Sequence, residues 1–182
     1  MKSKQKKTAR GEYSAKKLAV CAMLSALGVV LLYLGSLIDI LDISMAAIAS
    51  LLCIIAVIEY GKGAPWTVFA VTSVLSLLLL PNKSPALMYT LFFGFYPILK
   101  ERFEKLGKVI SWVCKLCVFN ISLVLIAVAS KLVLAESAAL PVELYIIGFV
   151  IAQGVFVLYD VALTRLISFN IYRLRKRLGF KN

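Results

Sequence analysis

The chain has 182 residues, of which 62% are apolar and only 16% charged, with a mean hydropathy of +0.92. A soluble domain is about 45–50% apolar and about 25% charged, so this chain has too few polar faces for a soluble basic domain or a nucleic-acid-binding one. The 21 lysines and arginines outnumber 9 acidic residues, and their placement outside or at the ends of the apolar runs makes them a membrane topology signal.

A basic arm (residues 1–17) opens the chain with Lys2, Lys4, Lys6, Lys7, Arg10, Lys16 and Lys17. The run 18–38 then has no charge inside it, and a bilayer core of roughly 30 Å takes about 20 such residues. It is too long for a signal-peptide core of about 7–15 residues, so it is expected to remain as a span. Asp39 and Asp42 mark an acidic turn, followed by a second run, 43–58, closed by Glu59, Gly61 and Lys62. The third run, 64–80, has Pro65 suited to its first helical position. Pro81 and Pro85 bracket a turn, and 86–99 is a fourth, shorter segment. A charged interruption from Lys100 to Lys108 separates it from the fifth and sixth runs, 109–130 and 144–167. A second basic segment (171–182) follows, with Arg173, Arg175, Lys176, Arg177 and Lys181.

These runs predict an all-α integral membrane protein: six transmembrane helices in one bundle (18–170), without internal repeat or soluble domain. Six crossings place the basic arm, the 100–108 loop and the basic tail on one side, which the positive-inside rule makes cytoplasmic. The other side has Lys83 and Lys131 beside Asp39, Asp42, Glu136 and Glu143. Runs 2 to 4 are short, because about 16 residues rise only roughly 24 Å. Ordinary helices are expected there, with room for one irregular segment.

The chemistry available is restricted. Histidine is absent, which removes the commonest general base and metal ligand. Gly61-Lys62-Gly63 is too short to cradle a phosphate as a nucleotide-binding loop does. Cys114 and Cys117 form a C-x-x-C, read as two soft packing residues at i, i+3 in preference to a redox pair. No catalytic residue, cofactor or metal site is expected.

Polar residues inside the spans carry more information, since burying them is costly unless they are paired or functional. Lys115 on the fifth helix and Asp160 on the sixth lie at comparable depth and are predicted either to pair across the helices, or to separate. In the second case Lys115 snorkels to the headgroups and Asp160 pairs locally with Thr164 or Arg165. Asn120 and Gln153, one to two turns deeper, are placed to hydrogen-bond across the same two helices. On the outer side, Asp39, Asp42, Asn82, Tyr89, Lys131, Glu143 and Tyr145 are candidate ligand contacts, with interfacial anchoring as the alternative role. On the first helix, Ala15, Ala19, Ala22 and Ala26 recur at helical spacing with Ser25 beside them. Such a small-residue stripe lets another helix approach closely, whether one of the chain's own or a partner's.

With Ala22 and Ala26 as an A-x-x-x-A on the first of six helices, the chain resembles the substrate-binding S component of an energy-coupling factor (ECF) transporter. That family implies a bacterial inner-membrane protein that captures a small organic nutrient, such as a vitamin or precursor, from outside. It implies docking through the first helix onto a transmembrane coupling subunit driven by two ATPase subunits. The segments 91–100 and 158–165 also resemble an uncharacterised set of bacterial six-helix membrane proteins. The chain lacks the His-rich N-terminus of metal-type S components, which argues against nickel or cobalt. A competing reading is a non-transporting membrane scaffold or assembly factor whose basic tails hold anionic lipid headgroups or a partner, each Lys or Arg contributing about 1 kcal/mol near the surface.

Overall fold

The computed structural model describes residues 2–61, 63–104, 107–133 and 142–177. Lys62 and Glu136 lie outside the described residues, as do the side chains of Asp39, Lys131, Glu143 and Tyr145 and those of residues 1–14 and 169–182. Helix α1 (Lys2–Leu37) leads through a 3₁₀ turn (Asp39–Leu41) into α2 (Asp42–Tyr60), and α3 (Ala64–Leu79) follows. Next come α4 (Ser84–Met88), a π turn (Tyr89–Phe93) and α5 (Tyr96–Phe103), before the long helices α6 (Lys108–Val133) and α7 (Val142–Arg177). No strand occurs among the described residues.

Four stretches are long and apolar enough to cross a membrane: Ala15–Leu37, Asp42–Tyr60, Val109–Ser130 and Ile147–Ser168. Their outward faces are apolar, with Met23, Ile43, Val109 and Leu158 all exposed. An exterior of that kind suits a hydrocarbon surrounding. The third run forms a single 16-residue helix.

The fourth run departs from the expected regular span. Pro97 lacks an N–H, and its ring would meet the carbonyl of Phe93 in a continuous helix. The chain therefore breaks there. It widens into the π turn, where the Gly94 N–H donates to the Tyr89 carbonyl at 2.7 Å, and restarts as α5 with Pro97 in its first turn. Six apolar segments are thus helical, but one of them is two short helices joined by a widened turn.

Small residues set the packing of α1. Its inward stripe is Cys21, Ser25, Gly28, Leu32 and Gly35, all buried. A Cβ on Gly28 would sit 3.1 Å from Thr72 of α3, and one on Gly35 would sit 2.9 Å from Met45 of α2. Gly28 also faces Leu52, so α1 and α2 run antiparallel. The main core is aromatic: Phe92 lies within ring contact of Phe93, Tyr96, Phe119, Phe156 and Tyr159, and Phe119 stacks on Phe156 with centroids 4.4 Å apart.

The tightest approach is at Gly94, where an added Cβ would fall 2.5 Å from the Phe69 ring and 2.9 Å from Tyr89. Gly94→Ala is expected to cost about 1–3 kcal/mol by overpacking, read as a lowered Tm of the purified protein in detergent. Gly154→Ala, on α7 with nothing near its would-be Cβ, should leave Tm unchanged or slightly raised.

Candidate functional site

The most concentrated chemistry is a buried charge cluster that joins α5, α6 and α7. Tyr96 and Lys100 are one helical turn apart on α5, so both face the same neighbour. That neighbour is Asp160 of α7. Tyr96 donates its hydroxyl to Asp160 Oδ1 at 2.6 Å, and Lys100 Nζ makes a short contact with the same oxygen. Lys115 Nζ of α6 reaches Oδ2 at 3.0 Å. Lys100 also donates to the Asp160 carbonyl at 2.9 Å and to Thr164 Oγ1 at 2.8 Å, while the Thr164 hydroxyl donates to that carbonyl at 2.9 Å. Glu104, one turn beyond Lys100, pairs with it at 3.2 Å and lies 3.8 Å from Lys115. Lys100 is 0% exposed, Asp160 3% and Lys115 5%.

Lys115 and Asp160 therefore meet across two helices. Asn120 and Gln153 meet as well: Gln153 Nε2 donates to Asn120 Oδ1 at 2.8 Å, and Asn120 Nδ2 to the Leu116 carbonyl at 2.8 Å. Arg165 stands apart, exposed on α7, and among the described residues it forms no ion pair with Asp160. Lys100 was expected as a loop charge, yet it is the most buried charged member of the cluster. Its signal in the sequence is the spacing Tyr96, Lys100, Glu104, which puts a hydroxyl, a cation and an acid on one stripe.

Chemically the cluster is a clamp. Both oxygens of Asp160 accept from donors on neighbouring helices, so the carboxylate is held as an ion and committed to those partners. A carboxylate committed in this way fastens helices together and has little capacity left to act as a base.

A second feature is a cavity of about 280 Å³ between the π turn, α6 and α7. Met88, Phe92, Phe119, Ile126, Ala152 and Phe156 form much of its wall, with Ile43 at the start of α2 contributing. The nearby Tyr159 hydroxyl is already engaged at 2.6 Å by Ser50. The cavity lies toward the end of the bundle that holds the start of α2. The clamp lies toward the other end, which also holds the α2–α3 turn and is called the basic end below.

The described outer-side candidates do not line this cavity. Asp42 is buried in the first turn of α2. The Asn82 side chain accepts from the Ser84 N–H at 2.9 Å, and Tyr89 is packed against Phe69 with 1% exposure. Asn82 serves a helix start, and Tyr89 serves the core. The apolar cavity wall was invisible as a site because its residues look like ordinary core.

On α1 the stripe divides. Ala15, Ala19, Ala22 and Ala26 are exposed, whereas Ser25 is buried and donates to the Cys21 carbonyl at 2.9 Å. Ser25 thus leaves the expected docking face and belongs to the inward one. Cys114 is half-buried and Cys117 exposed, both as free thiols. No protein-family model, curated protein or solved structure matches the chain.

Removing the buried Asp160 carboxylate leaves two buried ammonium groups with only the more exposed Glu104 between them, whereas removing one lysine leaves Asp160 paired with the other. Asp160→Asn is therefore expected to cost about 3–5 kcal/mol, and Lys100→Met distinctly less. Adding Lys115→Met to Asp160→Asn should recover part of the loss. A double-mutant cycle on detergent-solubilised protein measures this; strictly additive losses would exclude the clamp.

Proposed function

We propose that the chain is the substrate-binding S component of an ECF-type importer in the bacterial cytoplasmic membrane. On this reading the basic end faces the cytoplasm. The observation that carries the proposal is the apolar cavity: it lies in the half of the bundle facing outside, between a broken segment and two long helices. At about 280 Å³ it is close to the lower end of small-molecule sites, about 300–1,000 Å³. Its aromatic wall suits a small organic nutrient with an apolar body, such as a vitamin or precursor. Polar ligand groups would then be met near the rim, where the outer turns lie.

The exposed alanine face of α1 supports the second half of the proposal. A packed bundle normally buries its small residues, because close approach is their value in lipid. Ala15, Ala19, Ala22 and Ala26 instead lie on the surface, open to the coupling subunit and, through it, to two ATPase subunits. The basic arm and tail would rest on anionic headgroups of the cytoplasmic leaflet.

Affinity purification from native membranes in mild detergent, with mass spectrometry, should recover two ATPase subunits and a membrane coupling subunit. Ala22→Leu and Ala26→Leu should abolish that recovery and substrate uptake without changing Tm, since both positions are exposed. Ala152→Phe, which fills the cavity, should abolish uptake yet keep the ATPase subunits bound. Wild-type protein recovered without ATPase subunits would overturn the importer reading and favour a scaffold.

A further inference from the structure

A polar crevice opens beside the clamp at the basic end, with a volume of about 410 Å³. Trp112 and Lys115 of α6 form one wall; Asp160, Thr164, Arg165 and Ser168 of α7 form the other, and Glu104 stands at the edge. We propose that this crevice seats the phosphodiester headgroup of an anionic phospholipid in the leaflet at the basic end. The proposal needs only that the chain spans a membrane and is independent of the importer reading.

The charge balance points to an anion. Lys100 and Lys115 are matched by Asp160 and Glu104, within the ion-pair distances already given. Arg165 then remains as the cation of the crevice that no described carboxylate neutralises. Its planar fork of N–H donors fits two oxygens of one phosphate. Ser168, three residues on, shares its face of α7 and adds a hydroxyl. Lys115, although committed to Asp160, has further N–H donors and lies 5.5 Å from the Trp112 ring centre.

Depth selects a lipid over a soluble anion. Trp112 and Lys115 lie three and six residues inside the start of the Val109–Ser130 span, or about 5 and 9 Å at 1.5 Å per residue. Arg165 and Ser168 occupy the last turn of the Ile147–Ser168 span. Trp112, Arg165 and Ser168 lie within about one turn of the span ends, where headgroup meets hydrocarbon and tryptophan concentrates, and Lys115 lies a turn deeper. Basic pockets between spans at this depth take anionic headgroups. Val113 and Leu158, deeper on the same helices, are exposed and offer the acyl chains an apolar surface.

The chain has two tryptophans, Trp66 and Trp112, so a Trp66→Phe protein reports on the crevice by fluorescence. The full chain in uncharged detergent is titrated with dioctanoyl phosphatidylglycerol, with dioctanoyl phosphatidylcholine and with inorganic phosphate. Phosphatidylglycerol should give a saturable change in Trp112 emission, with phosphatidylcholine about tenfold weaker or silent and inorganic phosphate silent. Arg165→Gln should weaken phosphatidylglycerol binding about tenfold at unchanged Tm, and Arg165→Lys should lose less. Equal responses to the two lipids, saturation by inorganic phosphate, or undiminished binding in Arg165→Gln would each overturn the proposal. Should Trp66→Phe fail to fold, native mass spectrometry of the otherwise wild-type chain decides instead. Phosphatidylglycerol retained by the wild type and lost from Arg165→Gln supports the seat, and equal retention overturns it.

Discussion

Asp160 is one carboxylate shared by three donors on two other helices, and the arrangement of α5, α6 and α7 depends on it. In a hydrocarbon surrounding, apolar side chains gain little by choosing protein over lipid, so helix association rests on close packing and on polar contacts. Helix α5 has only eight residues, too few to be stable alone. Tyr96 and Lys100 attach it to α7, and Lys115 attaches α6 to the same group. A single buried carboxylate flanked by two lysines would be costly if either the geometry or the proton count were wrong. The Tyr96 and Thr164 hydroxyls, together with Glu104, complete the balance.

The clamp also explains how a broken segment can be tolerated. Pro97 forces the fourth run to restart, and a π turn leaves backbone groups in irregular geometry that lipid cannot satisfy. Here the turn is buried, with Tyr89, Phe92 and Phe93 turned into the core and Gly94 pressed against Phe69. Phe92 and Phe93 of this turn border the apolar cavity. Tyr159, adjacent to Asp160 in sequence, faces the cavity and is fixed by Ser50 of α2. Cavity and clamp are therefore built on the same turn of α7, one face apolar and the next ionic.

Much of this was legible in the sequence, and the limits have physical causes. Apolar run length gives the helices, and four of them are long and apolar enough to cross a membrane. Comparable depth on adjacent helices gives the Lys115–Asp160 and Asn120–Gln153 contacts. Lys100 was hidden by its neighbours: next to Glu101, Arg102 and Glu104 it reads as a loop charge, and only the turn-by-turn spacing from Tyr96 marks it as inward. The cavity was hidden for the opposite reason, since Phe92, Phe119 and Phe156 are what any core would contain. Asn82 and Tyr89 looked like ligand contacts because polar atoms at helix ends serve turns and cores as readily as they serve ligands.

Helix α1 shows why composition alone cannot assign an interface. Small residues occur on two adjoining stripes, one with Cys21, Ser25, Gly28 and Gly35 and one with Ala15, Ala19, Ala22 and Ala26. Both permit close helix approach, and sequence spacing does not rank them. Packing does: Gly28 and Gly35 are held where a single added carbon would press on Thr72 and Met45, which consumes the first stripe within the chain. The alanines meet no such neighbour. A helix that satisfies its own bundle with glycine and serine has no internal need for a second smooth face, and the alanine stripe is left exposed.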